Sequence, residues 1–124
     1  MASNTDRQTR PRIILCGGRD LINHVAFGHA MDVFMQLHGM PRIVIEGGAK
    51  GADTLAREWA KYQGIQLIEV PANWNREGLS AGPKRNQLML DLLEPDMVVA
   101  FPGGPGTADM VRRAKAAGVF VYEV

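Results

Sequence analysis

The sequence has little cysteine, few aromatic residues and almost no net charge. Cys16 is the only cysteine among 124 residues, which excludes an internal disulfide framework and a cysteine-rich zinc site. The formal net charge is +1, so bulk electrostatics give no reason to expect a nucleic-acid partner. No apolar run approaches the roughly 20 residues of a membrane-spanning helix, so no membrane partner is expected.

The beginning of the chain is polar. Residues 1–11 lack the apolar segment of a secretory signal, and we expect them to form a flexible N-terminal arm. The remaining residues, 12–124, are enough for one domain with a real core and too few for two. Because the sequence has one thiol and no visible targeting segment, we expect a cytoplasmic location.

Short apolar runs alternate with segments of helical periodicity along the chain. The apolar runs predict five strands, at residues 13–16, 43–46, 66–70, 96–101 and 119–124. Four helices are predicted between them, at residues 24–38, 51–62, 84–93 and 107–117, with an irregular stretch at 71–83. This alternation predicts an α/β fold: a single minimal Rossmann-like, three-layer domain whose five-stranded parallel sheet has the order 3-2-1-4-5.

Glycine-rich turns follow three of the predicted strands. Gly17 and Gly18 follow strand one, residues 47–51 follow strand two, and residues 102–107 follow strand four. Bare backbone lets N–H groups approach an anion, and the positive end of the next helix points to the same place. In the predicted strand order the three turns meet near the switch point, where open sheets bind ligands. We therefore predict one pocket that binds a phosphate or a similar anion.

Side chains near these turns supply candidate contacts. Arg19 and Arg85 are candidate phosphate clamps, and Trp74 is a candidate stacking surface or a simple loop anchor. The Asp53 carboxylate could accept hydrogen bonds from ribose hydroxyls, or it could stabilise the positive end of its helix. The Thr107 hydroxyl could contact a ligand, or it could cap the helix. The predicted ligand-binding residues are Gly17, Gly18, Arg19, Gly47, Gly48, Lys50, Gly51, Asp53, Trp74, Lys84, Arg85, Asn86, Pro102, Gly103, Gly104, Gly106 and Thr107. No cofactor is expected, and no metal site, because the histidines lack partners at metal-ligand spacing.

Five short motifs occur in order, at residues 17–20, 47–53, 72–74, 82–86 and 102–107. Together they resemble the SLOG superfamily and, within it, the YspA group of cpYpsA-related SLOG proteins. The resemblance extends over roughly residues 12–124 and implies a Rossmann-like nucleotide-binding domain. Because SLOG proteins form dimers or larger assemblies, the resemblance also leaves open a homo-oligomer of this chain. The methionine-rich first helix offers an apolar face for assembly, although packing on the sheet explains these methionines equally well.

The resemblance includes the Lonely Guy-type phosphoribohydrolases, which cleave the N-glycosidic bond of nucleoside monophosphates. In those enzymes the Pro-Gly-Gly-x-Gly-Thr motif is followed by a glutamate three residues after the threonine, where this chain has Met110. Asp109 is one residue earlier, about 100° away around a helix. Arg85 matches the arginine of the family. Arg85 and Asp109 are therefore the candidate catalytic residues, and the displaced carboxylate favours binding over hydrolysis.

These observations predict a domain that binds a small nucleotide-type ligand, either a mononucleotide or an ADP-ribose-like molecule. It acts as a sensor or as a ligand-sequestering protein, and we do not expect an enzyme. An N-glycosidase acting on nucleoside monophosphates is the first alternative. Single-stranded DNA binding is the second, and the charge balance disfavours it because only Trp74 and the Lys84-Arg85 pair are available for it.

Overall fold

The fold is built on a five-stranded, all-parallel sheet with the order β3-β2-β1-β4-β5. It is seen in a computed structural model that describes residues 10–124. The strands are β1 (Arg12–Cys16), β2 (Ile43–Glu46), β3 (Gln66–Glu69), β4 (Met97–Ala100) and β5 (Phe120–Glu123). The predicted α/β class and strand order are confirmed. Most of the predicted arm at residues 1–11 lies outside the described residues.

Helices cover both faces of the sheet. The helices are α1 (His24–His38), α2 (Ala52–Gln63), α3 (Trp74–Glu77), α4 (Ala81–Leu93) and α5 (Pro105–Ala116). The first two pack on one face and the last two on the other, whereas α3 is a single turn that leads into a 3-10 turn at Gly78–Ser80. Among residues 10–124, no helix has the length and apolarity needed to cross a membrane.

Alternate residues of the central strands enter two separate cores. In β1, Ile13 and Leu15 pack with α1 and α2, while Ile14 packs with α4 and α5. All three side chains are fully buried. A parallel sheet covered on both faces needs apolar residues in both directions, and this explains why its strands are continuous apolar runs.

Two helices begin earlier than the sequence predicted. The α4 helix begins at Ala81 instead of Lys84, and α5 begins at Pro105 instead of Thr107. N–H groups in the first turn of a helix have no acceptor within the helix, so a proline, which lacks the N–H, is tolerated there. Pro105 is the first residue of α5 and Pro83 lies in the first turn of α4.

The earlier starts change the local position of two site residues. Gly104 is the N-cap of α5, so Thr107 is not a capping residue and lies inside the first turn. Arg85 lies one turn inside α4 instead of at its beginning. The stretch predicted to be irregular also contains α3, whose cap Asn73 accepts the Arg76 N–H at 3.2 Å.

The core on the α1 face can be tested at Phe34. This ring is fully buried and meets the Tyr122 ring edge-on, with 5.2 Å between centroids. We expect Phe34→Ala to lower the free energy of unfolding by about 3–5 kcal/mol, because a cavity replaces the ring. Leu37→Ala is the control on the same helix, since Leu37 is 65% exposed and its loss should change stability by about 0.5 kcal/mol or less. Urea denaturation measures both values, and equal losses would contradict the described packing.

Candidate functional site

A cleft of about 1050 Å³ lies at the carboxyl ends of β1, β2 and β4. The turns that follow these strands form its floor, and the α3 region with the beginning of α4 forms one rim. Of the residues predicted from the sequence, the cleft is lined by Gly17, Gly18, Arg19, Gly47, Asp53, Trp74, Arg85, Asn86, Pro102, Gly103, Gly104, Gly106 and Thr107. The structure therefore brings together residues from all five motifs that the sequence analysis singled out.

Close backbone contacts hold the turns of the cleft floor together. The Gly18 N–H donates to the Pro102 carbonyl at 2.9 Å, and the Ala52 N–H donates to the Gly18 carbonyl at 3.0 Å. A Cβ atom on Gly17 would lie 2.8 Å from the Cβ atoms of Ala52 and Phe101, which is closer than such atoms approach. Glycine is therefore required at position 17 for the packing of the turns, whether or not a ligand is bound.

Four predicted contacts do not line the cleft. They are Gly48, Lys50, Gly51 and Lys84. Gly51, with φ +77°, packs so closely on the Gly18 carbonyl that a side chain would collide with it. Lys84 instead pairs with Glu77 at 3.0 Å, and Lys50 is exposed away from the lining. The local sequence identifies these residues as turn or helix-start residues, but it does not show the direction in which each one points.

The amino terminus of α5 opens into the cleft. Its N-cap, Gly104, makes no side-chain capping bond, and the N–H groups of the first turn have no acceptor within the helix. A Cβ atom on Gly104 or Gly106 would meet no atom of residues 10–124 within 4 Å, so the described part of the chain leaves the space beside this helix end open. The partial positive charge of the helix terminus therefore faces open space.

The turn after β2 is acidic, in contrast to the positive end of α5. The Gly48 N–H donates to Glu46 at 2.5 Å, and the Ala49 N–H donates to Asp53 at 3.1 Å. Burial raises the pKa of Asp53, against the lowering effects of the Ala49 N–H and of Arg85. Carboxyl groups of the chain itself thus accept the N–H hydrogen bonds of this turn, which the sequence analysis had predicted to bind a phosphate.

A chain of hydrogen bonds crosses the cleft floor from β2 to α5. Arg85 donates through Nη1 to the Gly47 carbonyl at 2.5 Å and through Nε to Asn86 Oδ1 at 3.0 Å. Asn86 Nδ2 donates in turn to Asp109 Oδ2 at 3.0 Å. Arg85 and Asn86 therefore connect the two sides of the cleft, which the sequence pattern alone did not reveal.

Asp109 lines the cleft as a buried carboxylate with several donors. It also accepts hydrogen bonds from Arg112 at 2.6 Å and Arg113 at 2.8 Å. Burial opposes ionisation, but the Asn86 and Arg113 hydrogen bonds and the charges of both arginines outweigh it and lower the pKa of Asp109. An ionised carboxylate held in this way is poorly suited to donate a proton.

The rim of the cleft carries apolar side chains. The Trp74 ring is half-exposed, and the Arg19 guanidinium carbon lies 5.9 Å from its centroid in a cation–π arrangement. Leu79 is 94% exposed and lines the same rim. The sequence analysis missed Leu79, although an apolar residue in a polar stretch just after a tryptophan was an available signal.

Comparison with known proteins decides the family. Residues 11–76, just over half of the chain, match the family described as the YspA, cpYpsA-related SLOG family. The chain belongs to this family. The Gene 61 protein of Mycobacterium phage D29 is a relative with 36% identity over 93 residues, which cover 68% of this chain and 74% of that protein. No solved structure matches.

Membership in the SLOG family confirms the resemblance drawn from the sequence motifs. It suggests nucleotide-related binding or processing, without a specific ligand or activity. The matched residues contain the turns after β1 and β2 and also Trp74. The parts of the cleft contributed by α4 and α5 lie beyond the matched residues, so they are described by the structure alone.

The hydrogen bonds of Asp109 predict a pH-dependent contribution to stability. We expect Asp109→Asn to lower the free energy of unfolding at pH 7 by about 1–3 kcal/mol, because charge-assisted hydrogen bonds are lost. The folded-state pKa is below the ordinary value of 3.8, so this contribution is complete above that value and is lost as the pH falls through the folded-state pKa. The difference in unfolding free energy between Asp109→Asn and the wild type, measured by urea denaturation, should be smaller at about pH 3 than at pH 7.

The matched control is Asp91→Asn in α4. Asp91 is exposed and accepts a hydrogen bond from Gln87 at 2.9 Å, and no arginine among residues 10–124 pairs with it. Its replacement should change stability by about 0.5 kcal/mol or less. A loss in Asp109→Asn that is the same at both pH values would contradict the role of the ionised carboxylate.

Proposed function

We propose that this chain binds a nucleotide or a nucleotide-derived ligand in the cleft and acts as a sensor or a sequestering protein. The observation that carries the proposal is the open amino terminus of α5 beside a glycine-rich turn. Free N–H groups and the helix dipole at such an end favour a phosphate. The Thr107 hydroxyl lies in the same first turn and is available as a further donor.

The different character of the two sides of the cleft supports one orientation of the ligand. A phosphate suits the α5 side, whereas the Asp53 carboxylate on the β2 side suits hydroxyl donors such as those of a ribose. Arg85 lies on the cleft floor between them, and its charge suits an anionic ligand. Trp74 and Leu79 at the rim offer an apolar surface to a base. The cleft volume of about 1050 Å³ accommodates a mononucleotide or an ADP-ribose-like molecule.

Cleavage of the ligand by an N-glycosidase is the second candidate function, and one observation favours a particular residue for it. Hydrolysis of an N-glycosidic bond needs a carboxyl group that gives a proton or steadies a cationic sugar. Asp109 is committed to two arginines and has a lowered pKa, whereas burial raises the pKa of Asp53 in the cleft wall. If the chain is an enzyme, Asp53 is the better-suited group, and Arg85 remains the candidate arginine.

The phosphate position can be tested with two glycine substitutions. Gly106 in α5 and Gly28 in α1 are both helical, and a Cβ atom at either would have no neighbour within 4 Å in the described part of the chain. Neither Gly106→Ala nor Gly28→Ala should destabilise the fold. In titration calorimetry with AMP, we expect Gly106→Ala to weaken binding about tenfold or more, equivalent to about 1.4 kcal/mol, because its methyl group occupies the phosphate position.

The Gly28→Ala variant should bind AMP like the wild type, since α1 does not line the cleft. Equal affinity in all three proteins would contradict a phosphate at the α5 terminus. Failure of the wild-type protein to bind AMP or ADP-ribose would contradict the proposed function itself.

Binding without turnover predicts that AMP is recovered unchanged. After prolonged incubation of AMP with the native protein, mass spectrometry should detect neither adenine nor ribose 5-phosphate, because Arg112 and Arg113 hold the Asp109 carboxylate in its ionised form. Release of adenine would instead establish the N-glycosidase. A comparison of Asp53→Asn with Asp109→Asn would then identify the carboxyl group that the reaction needs.

A further inference from the structure

Glu46 is a fully buried acidic residue at the end of β2. Its Oε1 accepts the Gly48 N–H at 2.5 Å, but its Oε2 has no hydrogen-bond partner among residues 10–124. A buried polar atom without a partner is destabilising, and a buried negative charge without a cation is more so. A proton on Oε2 removes the charge and turns this atom into a donor.

An acceptor for that proton lies on the neighbouring strand. Glu46 and Glu69 are paired in the parallel register of β2 and β3, so their side chains lie next to each other on one face of the sheet. The Glu69 carboxyl group lies beside the residue whose N–H binds Glu46, because a Cβ atom on Gly48 would be 3.2 Å from Glu69 Oε1. Arg57 Nη1 pairs with Glu69 Oε2 at 3.3 Å, whereas the buried Glu46 has no ion-pair partner among residues 10–124. Glu46 is therefore the member of the pair that holds the proton.

The negatively charged groups around Glu46 also favour its protonated form. Asp53 on α2 and Glu69 on β3 are negative, whereas Arg57 is engaged with Glu69 and Arg85 on α4 with the Gly47 carbonyl. Burial, together with Glu69 and Asp53, raises the pKa of Glu46 from 4.5 to about 7, although the Gly48 N–H opposes the shift. Adjacent carboxyl groups commonly share one proton in this way.

We propose that Glu46 is a positioning residue that, as a neutral acid bonded to Glu69, holds the turn at residues 47–49 in the cleft wall. When the proton is lost, the bond to Glu69 is replaced by repulsion between two adjacent carboxylates, which displaces Glu46 and the turn that is bonded to it. Gly47, Ala49 and Asp53 all line the cleft, so the proton controls the shape of its acidic side. The consequence for ligand affinity rests on the proposed function, whereas the shared proton does not.

The wild-type protein provides the first test without any ligand. Carbon-13 NMR of the Glu46 carboxyl group and nitrogen-15 NMR of the Gly48 amide are recorded from about pH 4 to pH 9. We expect both signals to titrate together with a midpoint near 7. A Glu46 midpoint near its ordinary value of 4.5, or a Gly48 signal that does not follow it, would overturn the proposal.

Two variants separate the members of the pair. Glu46→Gln keeps an oxygen acceptor for Gly48 and an N–H donor for Glu69 but cannot ionise, so the Gly48 titration near neutral pH should disappear. Glu69→Gln removes the neighbouring charge and should lower the Glu46 midpoint by about half a pH unit or more. Glu58→Gln, at an exposed position of α2, is the control and should leave both titrations unchanged. Persistence of the Gly48 titration in Glu46→Gln would place the proton elsewhere and refute the role of Glu46.

Thermal unfolding gives a second readout with a defined sign. The folded-state pKa is above the unfolded value of 4.5, so protonated Glu46 stabilises the fold at low pH. This contribution is lost as the pH rises from 4.5 to about 7. The melting temperature of Glu46→Gln should therefore fall less steeply with pH than that of the wild type, and identical slopes would count against the proposal.

AMP binding tests the effect on the cleft. Affinity for AMP should fall more steeply above pH 7 in the wild type than in Glu46→Gln, while ionisation of the phosphate, with a pKa of about 6, affects both proteins equally. Parallel pH profiles would overturn the positioning role even if Glu46 titrates near 7. Absence of AMP binding at every pH would refute the proposed function, and the NMR titration would still decide whether Glu46 holds the turn.

Discussion

The cleft depends on one backbone junction, in which the Gly18 N–H binds the Pro102 carbonyl and the Gly18 carbonyl accepts the Ala52 N–H. This junction joins the turns after β1 and β4 to the beginning of α2. Because Gly17 and Gly51 leave no room for a Cβ atom, the turns approach closely and the floor of the cleft is mostly backbone. The chemistry of the site is then supplied by the few side chains that reach this floor from α2, α4 and α5.

The fold could be predicted because burial on both faces of a parallel sheet leaves a clear pattern in the sequence. Ile13, Ile14 and Leu15 form a continuous apolar run for this reason. Glycine positions likewise predicted which turns meet. The beginnings of α4 and α5 were placed too late because Pro83 and Pro105 suggested turns, although proline is equally suited to a first helical turn.

The partners of the polar side chains could not be predicted in the same way. The bond between Asn86 and Asp109 joins residues of two helices that are 23 positions apart in sequence, and local spacing carries no information about it. The opposition of Glu46 and Glu69 follows from strand register, which is fixed only when β2 and β3 pair. A glutamate at the end of β2 and another at the end of β3 were the available signal. Its meaning depended on the strand order and on which face of the sheet each side chain occupies.

The two sides of the cleft come from different parts of the chain. Strands β1–β3 with α2 supply Asp53 and the acidic turn, whereas β4 with α5 supplies the open helix terminus. These parts meet along the pairing of β1 with β4 in the middle of the sheet. A molecule bound across this boundary would therefore act as a non-covalent cross-link between the amino-terminal and carboxyl-terminal halves. Its binding would raise the free energy that is needed to unfold either half locally.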